Sequence, residues 1–242
     1  MCWYLFETHP PPPPPLLPPS LPLPPSPPQP PPPPLTYTLV TQSELPYETN
    51  FDSDYPDGCW RCDPSYEMCW TQSDGAGTPS PDTGPDSAHS GSQFMYMEAS
   101  GPAKQGDRTS MVCYVDLRAA TNPILGFHYH MHGASIGSLA VSHRTLIDDP
   151  STNGISASSS WGDQETDWQK SGEQHTASTS SWTKAQIALP LEVVQINING
   201  IRGTWYKSDI AIDSIRIDIQ ESPPPPPPLP PPPPLPPQPP SP

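Results

Sequence analysis

Basic residues are scarce: the chain carries 10 Lys and Arg against 25 Asp and Glu, a formal charge of −15. A surface of that sign repels phosphate backbones, so nucleic acid is excluded as the main partner. Long apolar runs are missing too, and nothing approaches the length that spans a bilayer. No window of eleven residues shows the 3.6-residue apolar period of an amphipathic helix. Catalytic scaffolds are equally absent: there is no Gly-x-Ser-x-Gly elbow and no His-Glu-x-x-His, which leaves neither a hydrolase triad nor a zincin helix its frame. Asp82 and Asp86, four residues apart in a Pro-Gly loop, are better turn formers than a glycosidase acid/base pair. The chain is therefore expected not to be an enzyme.

Proline, by contrast, is abundant. Of 44 prolines, 18 fall in Pro10–Pro34 and 16 in Pro223–Pro242. Neither block can bury a core or make a backbone ladder, and both are expected to be disordered, polyproline II-like arms. Such an arm serves as a semi-rigid spacer, as a ligand for SH3- or WW-type domains, or as a linker with no partner. The expected organisation is an N-terminal arm over residues 1–45, one domain over 46–220 and a C-terminal arm over 221–242. All 10 basic residues but only 22 acidic ones lie in the central domain, a formal −12. Met1–Glu7 is too short for a signal-peptide core and lacks a basic start, so information for secretion is expected on a further segment, or the product stays inside.

Five cysteines occur, Cys2, Cys59, Cys62, Cys69 and Cys113. Three of them lie within eleven residues beside Trp60 and Trp70. That cluster reads as a disulfide-stapled loop and hence an oxidising compartment, since Cys69 and Cys113 lack zinc-ribbon spacing. Four cysteines allow three pairings, and spacing does not choose among them.

The remaining pattern is that of strands. Phe94–Glu98, Thr109–Leu117, Ile124–His132, Ser138–Ser142, Gln186–Leu189 and Val194–Ile198 alternate or run apolar between turn clusters. Trp168 and Trp182 mark two further strand regions. Residues 46–77 read as loop. In the last strand Ile210 and Ile212 alternate in one phase and Ile215, Ile217 and Ile219 in the other. If all five face one core, an extra residue is absorbed at Asp213-Ser214, the signature of a bulge. A bulge aims a side chain off the regular pleat, which makes Asp213 a candidate outward-pointing cation ligand. Many short strands with no helix predict an all-β, two-sheet jelly-roll sandwich. On Ile124–His132 the histidines His128, His130 and His132 share one face, either as a surface row or, less naturally, as a zinc or copper site.

Several motifs then occur in a telling order: Asn50-Phe51-Asp52, Thr78–His89, Tyr96-Met97-Glu98-Ala99-Ser100, Phe127–Gly133, Gly200-Ile201-Arg202-Gly203 and Asp209-Ile210-Ala211-Ile212-Asp213. That succession resembles the MAM domain, the extracellular module of meprins, neuropilins and mu-type receptor tyrosine phosphatases. The proline arms resemble those of algal wall glycoproteins. The MAM resemblance implies a non-catalytic adhesion or protein-interaction module at a cell surface or in a matrix, with self-association or a protein or glycan partner. The alternative is a carbohydrate-binding module of a wall or matrix protein. The resemblance also implies a calcium ion near one end of the domain, held by Asp52, Asp86 and Asp213, whose hard oxygens suit Ca²⁺. Two cysteines usual in the family are missing, where this chain has Ile124 and Gln220-Glu221-Ser222. Cys62 and Cys113 are expected to form a substitute pair.

Overall fold

The structure is a computed structural model that describes residues 38–53, 55, 58–147, 155 and 159–219; both proline blocks lie outside them. Twelve strands run in order: β1 (Leu39–Val40), β2 (Tyr47–Thr49), β3 (Arg61–Cys62), β4 (Thr71–Gln72), β5 (Met95–Met97), β6 (Arg108–Asp116), β7 (Pro123–His130), β8 (Ser138–Thr145), β9 (Glu165–Ser171), β10 (Thr183–Ala188), β11 (Val193–Ile201) and β12 (Ile210–Ile219). Among the described residues the only helical element is a 3₁₀ turn at Gln42–Glu44.

The strands form two sheets. The first has the order β1-β6-β11-β8-β9 with β3 also on β6; the second has β10-β7-β12-β5-β4 with β2 also on β12. Every pair is antiparallel except β1 with β6. The expected two-sheet, all-β sandwich is what forms. Its core is what the alternation predicts: Met111, Cys113 and Val115 from β6, Leu125 and Phe127 from β7, Ile196 and Ile198 from β11, and Ile210, Ile212, Ile215 and Ile217 from β12 are all sealed between the sheets. Each such side chain contributes roughly 1.5–3 kcal/mol through apolar burial.

The stretch read as loop is more structured than its composition suggests. Leu39 and Val40, assigned on sequence to the arm, extend the first sheet, and β2, β3 and β4 fall within residues 46–77. These strands are two or three residues long, too short to show a period, and only tertiary pairing reveals them. The cysteines there join as Cys59–Cys113 and Cys62–Cys69. This corrects the expected Cys62–Cys113 pair. Cys113 faces inward on β6 and meets Cys59 in the core, whereas Cys62 is only half-buried at the sheet margin and closes a short loop with Cys69. Cys2 lies outside the described residues.

Candidate functional site

The bulge in β12 sits where the isoleucine phase changes. Pairing with β7 slips between Asp213 and Arg216, and Ser214 takes a positive φ of 52°. Asp213, however, does not point into solvent. It is fully buried, because loop 87–93 folds over the outer face of the second sheet and closes on it. Asp213 Oδ2 accepts hydrogen bonds from the backbone N–H of His89 (2.9 Å) and Ser90 (3.0 Å). Burial raises its pKa to about 6, with the nearby Asp52 charge adding to the effect against the hydrogen bonds that oppose it. Asp52, exposed, holds the same loop from the other side. Its Oδ1 accepts from the N–H of Ser92 (2.7 Å) and Gln93 (3.0 Å), which lowers its own pKa. Gly91 makes this approach possible: its φ is +69°, and a Cβ there would lie 1.9 Å from Asp52 Oδ2.

Two carboxylates thus clasp four backbone amides of one loop. Asp86 does not join them. Its side chain is exposed and accepts from Ser87 Oγ at 3.2 Å, while its N–H goes to Ser178. Among the described residues no three His, Cys, Asp or Glu side chains are grouped as a metal cage. The chemistry of Asp52 and Asp213 nevertheless suits a hard cation. Both are oxygen donors, the Asp52 charge disfavours ionisation of Asp213, and Asp213 Oδ1 and Asp52 Oδ2, which accept from Ser214 N–H and Asn50 Nδ2, each keep a lone pair.

The histidines do not form a surface row. His130 is fully buried, with neither ring nitrogen hydrogen-bonded, and stacks on His175 at 4.3 Å. His128 is half-buried under His89, their rings stacked at 3.5 Å, and His89 Nδ1 meets Ser214 Oγ at 2.9 Å. Trp182 is not in the core between the sheets. It belongs to a small cluster on the outer face with Phe94, Tyr96 and Ala211, and its Nε1 donates to Ser87 O at 3.1 Å. Trp168 does pack inward, edge-on to Phe127. Burial pushes the His130 pKa down to about 3 and that of His128 down to about 4.

Beyond the clasped loop the outer face of the second sheet stays open as a groove of about 650 Å³. Its floor is Gly126, which stands opposite Arg216 and Gln186 and whose nearest neighbours to a Cβ would lie 3.9 Å away. Its rim is charged: Arg216 pairs with Glu48 and, at 2.8 Å, with Asp218, and Lys184 stands across from them. A second groove, of about 300 Å³, crosses the outer face of the first sheet through Ala140, Asn199 and Gln169. The sequence carries a signal for this one. The polar members of Val194-Gln195-Ile196-Asn197-Ile198-Asn199 are all amides on one strand face. Asp209 is a buried group that no sequence period marks: it is fully buried, Oδ1 accepts from Ala99 N at 2.9 Å, and burial raises its pKa to about 7.

The fold is an all-β, two-sheet sandwich with a loop clasped across one face, and comparison places it in a family. The family model described as MAM domain, meprin/A5/mu, matches residues 49–223, and the chain belongs to that family. It is 31% identical over 153 residues to MAM domain-containing glycosylphosphatidylinositol anchor protein 2 of Rattus norvegicus, covering 57% of this chain and 14% of that protein. It is 32% identical over 148 residues to MAM domain-containing glycosylphosphatidylinositol anchor protein 1 of Homo sapiens, covering 60% and 14%. The chain thus spans about a seventh of the length of these curated relatives. Among solved structures it is similar to the K3 cleaved adhesin domain of Lys-gingipain from Porphyromonas gingivalis, with a TM-score of 0.43 at 14% identity over 65% of this chain and 88% of that one. It is also similar to the C-terminal family 22 carbohydrate-binding module of Clostridium thermocellum Xyn10B, with a TM-score of 0.42 at 12% identity over 72% and 92%.

Proposed function

We propose that this domain is a non-catalytic adhesion or protein-interaction module of a cell surface or matrix, displayed on proline-rich spacers. The observation that carries the reading is the open, charge-rimmed groove beside a loop clasped by Asp52 and Asp213. Paired opposite charges around a trough suit register-specific contact with a protein partner or a second copy of the chain more than they suit raw affinity. Asp52 and Asp213 hold the loop that forms one end of this trough, through Ser90, and so set its shape. In the same reading these two carboxylates bind one Ca²⁺-type cation, which neutralises their mutual repulsion; Asp86 is not part of the set. A second reading, contact with carbohydrate, is favoured by the uncharged amide face of the first sheet.

The test is aggregation of beads coated with the full chain, with and without calcium, run beside thermal melting in calcium and in EDTA. Aggregation that is lost in Gly126→Trp, which fills the trough, supports the protein-contact reading. Unchanged aggregation in that variant refutes the trough. Calcium is expected to raise Tm by several degrees, the size that ligand linkage gives at saturating concentration. Equal Tm in calcium and EDTA removes the ion while leaving the contact surface standing.

A further inference from the structure

The outer face of the first sheet differs in chemistry from the rest of this acidic chain. Outward positions on β11 are Gln195, Asn197 and Asn199, and opposite them on β8 stand Arg144, Ser142 and Ala140. Ala140 is in turn paired with Gln169 of β9. The amides are oriented by their neighbours. Asn199 Nδ2 donates to Ser142 Oγ at 2.9 Å, the Gln164 amide donates to the same oxygen, and Gln195 Nε2 donates to Asn197 Oδ1 at 3.1 Å. Asn199 Oδ1 is left without a protein donor among the described residues. Gln195 and Asn197 are themselves buried, and the groove of about 300 Å³ lies at the Asn199 end of these rows; it has no carboxylate in its lining, although acidic residues outnumber basic ones 25 to 10 in the chain, and its one cation is Arg108.

We propose that this groove binds a neutral oligosaccharide, floored by Ser138 and Ala140 and rimmed by Gln164, Gln169, Asn199 and Tyr66. The ligand class follows from the donor inventory. Each sugar hydroxyl is both donor and acceptor, and side-chain amides and hydroxyls are the neutral groups that answer both roles. Small residues on the floor let a ring lie close to the sheet, and Tyr66, half-exposed at one end, offers an apolar face to the ring's C–H edge. A nucleic acid needs several cations where this groove has one. A protein partner needs a buried apolar centre with aromatic anchors, whereas the apolar side chains lining this groove are Ala140, Ile201 and Tyr66. The volume sits at the small end of ligand pockets, enough for one or two sugar rings. This inference rests on the carbohydrate reading of the domain and is separable from the adhesion reading, which uses the opposite face.

The experiment is affinity electrophoresis of the full chain through gels containing β-glucan, xylan, mannan or galactan, with polygalacturonate as the charged comparison. At least one neutral polysaccharide is expected to retard the protein. Asn199→Ala or Gln169→Ala is expected to weaken binding about five- to tenfold, the effect of losing one hydrogen-bonding group. Ala140→Trp, which fills the floor, abolishes binding, and Gly126→Trp on the other sheet leaves it unchanged. Melting curves confirm that each variant is folded, and the two amide truncations carry the test if the tryptophan variant does not fold. Retardation by no neutral polysaccharide, retardation by polygalacturonate alone, or loss of binding in Gly126→Trp overturns the site. Bead aggregation that persists without glycan binding overturns this inference and leaves the adhesion reading; glycan binding without aggregation does the reverse.

Discussion

Acidification should destabilise this domain through His130, and replacing that residue with phenylalanine should remove the effect. The ring is fully buried, neither nitrogen makes a well-formed hydrogen bond, and it is faced by His175 stacked at 4.3 Å, Trp182 at 5.7 Å, His132 at 6.5 Å and the backbone of Ala177 and Ser180. Burial is the main reason its pKa falls to about 3, with His175 and His132 adding to the fall and the backbone of Ser180 and Ala177 opposing it. A folded-state pKa below the unfolded value of 6.5 means that the unfolded chain takes the proton first. The contribution is therefore fully present above pH 6.5 and is lost as pH falls from there toward 3. At about 1.4 kcal/mol per pH unit the ceiling is about 5 kcal/mol, and coupling to His175 and His132 brings a realistic loss nearer 2–3 kcal/mol by pH 4. Asp209 acts in the opposite sense: its raised pKa makes ionisation costly, so its share of stability grows as pH falls through about 7. Comparing wild type with His130→Phe cancels that background. The variant keeps a flat ring against His175 and should be as stable as wild type or more so at pH 7.5, because two unpaired buried nitrogens are gone. At pH 4 the variant should melt higher by roughly 5–10 °C, taking 2–4 °C per kcal/mol for a domain of this size. Thermal melting by circular dichroism from pH 4 to 8 measures both curves. Parallel curves would refute the reasoning, since they would show that the buried ring does not titrate differently in the two states.

Three further outcomes follow from the same geometry. Gly91→Ala should destabilise by about 1–3 kcal/mol and speed hydrogen exchange at residues 89–93, because its Cβ would strike the Asp52 carboxylate; unchanged exchange would mean the clasp is not holding the loop. Removing the Cys59–Cys113 bond by paired serine substitution should cost about 4 kcal/mol against about 2 for Cys62–Cys69, since the sequence separations are 54 and 7; urea melts that rank them in the other order would contradict the loop-entropy account. Ser214→Gly should stay within about 1 kcal/mol of wild type, whereas Ser214→Ile should cost more than 1 kcal/mol, because β-branched residues resist φ near +52°; equal chemical-denaturation midpoints for the two would argue against the bulge geometry.

What the sequence determined by itself was whatever repeats within a strand's own length. Alternating isoleucines, tryptophans and turn clusters placed the eight long and central strands, and the phase slip at Asp213 located the bulge, because side-chain direction along a strand is fixed by a period of two. The ordered motifs likewise marked the family. What only the tertiary structure decided was everything that depends on a distant segment. The direction of Asp213 is set by loop 87–93, the burial of His130 by residues 175–182, the cysteine partners by how β3 lies on β6, and the separation of Asp86 from Asp52 by the path of the loop between them. Local pattern encodes which way a side chain leaves its own backbone; whether it then meets water, a carboxylate or another ring depends on chain brought in from far along the sequence, and no period records that.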